Sequence, residues 1–321
     1  MEELCCRICG NNSENTRYTV KEGLLGKGDS FLYFQCGKCG CLQLFSFPDN
    51  ISKYYPSDYY AYAEPKGFVK FIYSIIEKTI IYRYAKNKHR LIGLLGSFIF
   101  RAQMPPIEIT EGVLSKKILD VGAGSGRLLK MLRKAGFKNI LGVEPFIDND
   151  IIIQNADCIN TVLVKKGFVY DIKETFDIVM LNHSLEHMPE QQESLSYIHE
   201  LLNDKGICII SIPTVSSFAW NKYREYWFNL DAPRHYYLHS IKSFELLAKK
   251  AKLNVDKIKY SSNFSQIIKS EYYRKNMNWR EMDKKLYSPL GLIKMSIYTI
   301  FSKYLDKIKR GDFITIYLSK L

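Results

Sequence analysis

The sequence predicts an α/β fold, a mostly parallel sheet with helices on both faces, joined to a small cysteine-rich unit. Three observations lead there. From residue 116 onward, short apolar runs alternate with helical patterns, as in strands joined by crossover helices. Within that region, "ILDVGAGSGRLL" carries an apolar run into three glycines and then directly into a helical pattern. Near the other end, six of the eight cysteines fall within the first 41 residues, which sets that segment apart from the rest.

The elements follow in order. Residues 1–45 hold the cysteine cluster and are expected to form a zinc-ribbon-like unit. Residues 46–115 begin with the Tyr- and Pro-rich "FPDNISKYYPSDYYAYAEPKG" and continue as apolar and basic helical sequence over 68–100. This linker or lid region ends in "MPPIEITEG", where Pro105 and Pro106 prevent helix continuation. In residues 116–321, "KILDVG" predicts a first strand and "GRLLKMLRKAG" a helix. "NILGVEP", residues 161–164, "FDIVML" and "ICIISIP" predict four further strands. "EQQESLSYIHELLNDKG" predicts a helix closed by Gly206, with Pro189 at its first turn. "LNVDKIKYS" and "DFITIYLSK" predict two closing strands around a long insert, residues 263–311.

The bulk composition bounds the function. The 321 residues suffice for about two domains, and 46% of them are apolar, enough for a sizeable core. The formal charge of +13 favours acidic partners. Yet no run of five like charges occurs, which argues against a dedicated nucleic-acid tail. The first residues, "MEELCCRICG", lack a signal pattern, and no apolar stretch reaches membrane-span length. A cytoplasmic protein is expected. Peripheral contact with the inner membrane face through segments 68–84 and 290–304 is a secondary expectation.

In a reducing compartment, clustered cysteines point to a metal rather than to disulfides. "CRICG" and "CGKCG" supply Cys6, Cys9, Cys36 and Cys39 as two matched C-x-x-C-G knuckles. Four thiolates give a closed tetrahedral structural zinc site. Cys5 and Cys41 are the extra thiols.

The glycine loop is the most informative stretch. Gly122, Gly124 and Gly126 permit unusual dihedrals and close approach of a ligand to the backbone. The helix start beyond them offers free N–H groups. A dinucleotide fingerprint needs a third glycine where Arg127 stands. Glu144, ending the next strand, can accept both hydroxyls of a ribose; alone, it fits NAD or S-adenosylmethionine equally.

Asp120 followed by G-x-G-x-G resembles the first motif of class I S-adenosylmethionine-dependent methyltransferases, as do "FDIVMLNHSLEHM" and "LLNDKGICIISIPT". The resemblance covers about residues 116–321 and implies a Rossmann-like fold with a mostly parallel seven-stranded sheet. It places Asp120 near the cofactor's methionine amine and the backbone of Gly122, Ala123, Gly124 and Gly126 beside the cofactor. For the adenine, Asp171 and Phe168 are the candidates. The N-terminal ribbon, then "YYPSDYYAY", then this domain is similar to a bacterial family associated with surface-polysaccharide and sugar methylation. That implies a sugar or glycan acceptor, nucleotide- or lipid-linked.

"NHSLEHMPE" carries His183, Glu186 and His187 in the H-x-x-E-H order of some zinc peptidases. That chemistry needs all three on one helix, whereas here a strand runs into a loop and Pro189 follows. The resemblance instead puts Asn182, His183 and Glu186 at the carboxyl end of the sheet, where ligands bind in open α/β folds. "WFNLDAPRHYYLHS" resembles the family's D-x-P-R-H segment. In it Arg234 is suited to clamp a carboxylate or phosphate, and His235 to take a proton. The alternative for both is a structural loop. His183, His235 and Glu186 are thus the candidate bases. Two rival readings remain: an NAD-dependent sugar-modifying enzyme, and a non-catalytic module binding nucleic acid or membrane.

Overall fold

The computed structural model describes residues 4–56, 67–84, 89–99, 104–154 and 160–321. The cysteine-rich segment forms three short antiparallel strands: β1 (Thr16–Lys21), β2 (Ser30–Gln35) and β3 (Leu42–Leu44). Two helices follow, α1 (Gly67–Tyr84) and α2 (His89–Ile99).

The large sheet begins with β4 (Ile118–Val121), whose four residues are all buried. It leads through the glycine loop into α3 (Arg127–Lys134). Then come β5 (Ile140–Glu144), β6 (Ile151–Gln154), β7 (Asn160–Lys166), β8 (Phe176–Asn182), α4 (Gln191–Leu201) and β9 (Leu202–Pro213). The chain continues through α5 (Phe218–Tyr223), β10 (Tyr237–Leu238), α6 (Ile241–Lys250) and β11 (Leu253–Tyr260). The long insert is helical: α7 (Ser265–Tyr273), α8 (Trp279–Leu286) and α9 (Pro289–Lys307) precede β12 (Phe313–Lys320).

The large sheet has eight strands in the order β11-β12-β9-β8-β4-β5-β7-β6. This corrects the expected seven-stranded, mostly parallel sheet in two ways. The "III" run of β6 forms an extra edge strand, antiparallel to β7. With the antiparallel pairs β9–β12 and β12–β11, the sheet is mixed; only β9-β8-β4-β5-β7 is parallel. The sequence hides β6 because an edge strand of four residues has no period to read.

Two boundaries also move. The helix expected to close at Gly206 ends at Leu201, and β9 starts at once. Gly206 instead lies within β9, where a Cβ would stand 3.0 Å from the Phe176 carbonyl oxygen. Pro189 lies before the helix, whose N-cap is Glu190. Among the described residues no helix is long and apolar enough to cross a membrane.

One contact organises the rest. β10 pairs with β3 and completes a four-stranded sheet, β1-β2-β3-β10. The cysteine-rich strands therefore share a sheet, and a continuous apolar core through Leu42, Trp220, Trp227 and Ile210, with the α/β domain.

Candidate active site

The carboxyl ends of β4, β5 and β8 open onto a cavity of about 870 Å³, the size of a cofactor site. At one end lies the glycine loop. Gly122 sits at φ 79°, a left-handed conformation, and a Cβ there would fall 2.4 Å from the Ser184 Cβ. Only glycine fits. The Gly122 N–H donates to the Val143 carbonyl at 2.9 Å, tying the loop to β5. Glu144 is buried and lines the cavity. Its two carboxylate oxygens accept from the Gly124 and Phe146 N–H groups at 3.0 and 3.1 Å. Ala123 and Gly124 also line the cavity; Gly126 caps α3.

Asp120 is buried beneath this loop and is not among the lining residues. Burial raises its carboxyl to about 7, assisted by the Glu144 charge and partly opposed by the Asn182 amide. Asp120 Oδ1 and Asn182 Nδ2 both lack a hydrogen-bond partner among the described residues. Phe168 is exposed and lines the cavity, whereas the Asp171 carboxylate accepts from the Phe168 N–H at 2.8 Å.

At the other end, "LEH" forms a 3-10 turn, Leu185–His187, so the H-x-x-E-H string is not helical. His183 takes φ 54° and keeps a half-exposed side chain, its Nδ1 3.6 Å from Glu186 Oε1. Glu186 is 1% exposed, and neither carboxylate oxygen has a hydrogen-bond partner among the described residues. Burial would raise its carboxyl, but the His183, His187 and His235 imidazoles together hold it below its ordinary value.

His235 arrives from the loop before β10. Its Nε2 stands 4.0 Å from both Glu186 Oε1 and Asp231 Oδ2, and its Nδ1 lies 2.8 Å from the Asn229 carbonyl. Burial, aided by His187, pushes its pKa down to about 4 against the pull of Asp231 and Glu186. The neutral imidazole is the resting form. Arg234 is fully buried and does not line the cavity. Its guanidinium donates to both Asp231 oxygens, to Glu22 Oε1 and to the Tyr54 carbonyl.

The sequence singles out neither Asp231 nor Tyr55 on its own, Tyr55 only as part of the Tyr-rich segment, and it leaves His187 between holding the loop and lining the site. His187 Nδ1 lies 2.8 Å from the Arg234 carbonyl and 3.2 Å from the Tyr55 hydroxyl, and all three residues line the cavity. Of the Tyr-rich segment read as a lid, residues 57–62 lie outside the described residues.

The cysteines converge as their spacing predicts. Cys6–Cys39 and Cys9–Cys36 Sγ pairs are each 3.6 Å apart, and all four lie within 4.8 Å of one another. Thiolates bound about 2.3 Å from one zinc stand roughly 3.8 Å apart. The two turns match: Gly10 N–H donates to the Cys6 carbonyl and Gly40 N–H to that of Cys36, both glycines at φ above 70°.

The methyltransferase-domain family matches residues 78–258, more than half of the chain. A ubiquinone biosynthesis O-methyltransferase of Azorhizobium caulinodans is 34% identical over 110 residues, 32% of this chain and 43% of the relative. One from Actinobacillus pleuropneumoniae is 26% identical over 117 residues, 32% of this chain and 47% of the relative. The chain thus spans less than half the length of either. Among solved structures, a possible histamine N-methyltransferase from Thermotoga maritima shares 15% identity at a TM-score of 0.42, over 78% of this chain and 97% of that one. The glycine loop, the acidic end of β5 and the turn after β8 all fall inside the matched span, and the chain belongs to the methyltransferase-domain family.

Proposed function

We propose that the protein transfers a methyl group from S-adenosyl-L-methionine to a hydroxyl of a small-molecule acceptor. The observation that carries this reading is Glu144 joined to the G-x-G-x-G loop, both inside the methyltransferase-domain match. Two backbone N–H groups fix its carboxylate at the cavity wall, and each oxygen keeps a lone pair for a ribose hydroxyl. Asn182 lines the cavity, and its Nδ2, without a hydrogen-bond partner among the described residues, suits the carboxylate of a bound methionine moiety; Asp120 is proposed near the amine on the sequence resemblance alone. When bound, the cofactor supplies a methyl group already activated by its sulfonium. The protein's own task is placement and proton handling. His183 is the base for the acceptor hydroxyl. Arg234 acts through Asp231, holding the loop that presents His235.

The curated relatives are named as O-methyltransferases, which favours a hydroxyl acceptor. A sugar or glycan precursor of a surface polysaccharide remains the proposed acceptor class, on the sequence resemblance alone. The cysteine cluster is proposed to hold one structural zinc ion, supported by its matched turns and sulfur spacing. Contact with an anionic membrane is supported by a stripe of exposed Leu290, Ile293, Ile297, Ile300 and Tyr304 along α9; sedimentation with anionic vesicles tests it.

Calorimetry with S-adenosylhomocysteine and with NAD tests the core of this reading. Binding of the first is expected, weakened about 10- to 100-fold in Glu144→Ala as charged hydrogen bonds are lost. NAD binding alone would overturn it. Incubating labelled cofactor with nucleotide sugars, glycolipids and ring phenols, followed by mass spectrometry, identifies the acceptor.

A further inference from the structure

The geometry points to a second metal site: Glu186, His187 and His235 bind one first-row divalent cation at the acceptor end of the cavity. One ligand atom from each lies within 4.8 Å of the others. The tautomers follow from the backbone. His187 Nδ1 faces the Arg234 carbonyl and His235 Nδ1 the Asn229 carbonyl, each at 2.8 Å. A carbonyl only accepts, so both Nδ1 atoms carry the hydrogen. In each ring Nε2 is then the nitrogen left to bind a metal. His235 Nε2 stands 4.0 Å from a Glu186 carboxylate that is 1% exposed and has no hydrogen-bond partner among the described residues. Two imidazoles and a carboxylate thus converge on one point, with His183 Nδ1 3.6 Å from the same carboxylate, and a cation would hold them together. Histidines that bind metals characteristically donate their other ring N–H to a carbonyl or carboxylate.

Two imidazoles and one carboxylate suit zinc, manganese or iron(II) and leave coordination positions open. Those positions open into the cavity, which all three residues line. They select an acceptor bearing two adjacent oxygens, such as a vicinal diol. Asp231 is a charged neighbour rather than a ligand, since Arg234 engages both its oxygens. The cation's role rests on the methyl-transfer reading; its binding does not.

The test uses full-length protein with the cysteine cluster already filled by zinc. Mn²⁺ is titrated by electron paramagnetic resonance and Zn²⁺ by calorimetry, with S-adenosylhomocysteine affinity measured in parallel. One ion of at least one of these metals per chain is expected, its affinity falling tenfold or more in Glu186→Gln and in His187→Asn. Thermal melting and S-adenosylhomocysteine affinity should stay near wild type in both variants, which excludes misfolding. If neither metal binds stoichiometrically, or if both variants retain wild-type metal affinity, the site is overturned. Cofactor binding without metal binding removes this inference alone; metal binding without cofactor binding removes the methyl-transfer reading alone.

Discussion

Among the described residues, two clusters of side chains could hold a metal ion, and they differ in almost every respect. Cys6, Cys9, Cys36 and Cys39 are four like ligands on two matched turns, and all but Cys9 are fully buried. Such a set closes around an ion and leaves nothing for a substrate. Glu186, His187 and His235 are one carboxylate and two imidazoles from two loops, and all three line the cavity. The first cluster is built for stability and the second for access. They are also connected. Leu44 N–H, at the end of β3, donates to the Tyr236 carbonyl, and Tyr236 N–H donates to the Glu186 carbonyl. The cysteine-rich sheet thereby holds the loop that brings His235 to Glu186.

The largest expected effect separates the two clusters most sharply. Cys36→Ser should abolish zinc binding and remove on the order of 10 kcal/mol of metal-linked folding energy. Metal analysis and calorimetric melting check this. Because β10 pairs with β3, methyl transfer should fall with it, and a variant that loses zinc yet melts and turns over normally would break the connection.

Arg234→Ala comes next, at about 3–5 kcal/mol, because it strands Asp231 and Glu22 as buried, unpaired charges. Denaturant unfolding measures it; a cost below about 1 kcal/mol would mean that the loop is held elsewhere.

Asp120→Asn should do the opposite. Burial raises the Asp120 pKa to about 7 in the folded protein, above its unfolded value near 3.8. The folded state therefore binds more protons between these values, and stability is lost as pH rises through about 7. At pH 8 the charged carboxylate costs up to about 4 kcal/mol. The variant should melt higher at pH 8, gain little at pH 4, and bind S-adenosylhomocysteine more weakly. Equal gains at both pH values would exclude the titration.

Glu186→Gln should have the smallest effect on stability, within about 1 kcal/mol, since no hydrogen bond is lost. Its turnover should nevertheless fall at least about tenfold. A stability loss matching that of Arg234→Ala would make Glu186 a scaffold residue and erase the contrast.

What the sequence reveals follows the same division. The cysteine knuckles, the glycine loop and the apolar runs of β4, β5, β8 and β9 are local patterns, each set by residues a few positions apart, and they were legible. So was Glu144 as the acidic end of β5. The open cluster was only half legible. Glu186 and His183 stand out from their place after β8, but the sequence leaves His187 between the loop and the site, and Arg234 between an anion clamp and a structural pairing that its buried partners Glu22 and Asp231 supply.

The sequence by itself therefore determined the α/β class, the thiol cluster and the cofactor loop, because turn chemistry and apolar periodicity act over short range. Only the tertiary structure decided that the sheet is mixed, with β6 on its edge, and that β10 joins the cysteine-rich strands. It alone decided that His187 and His235 converge on one buried carboxylate. Contacts of that kind depend on long loops closing in three dimensions, where the partner's identity is not encoded beside the residue it meets.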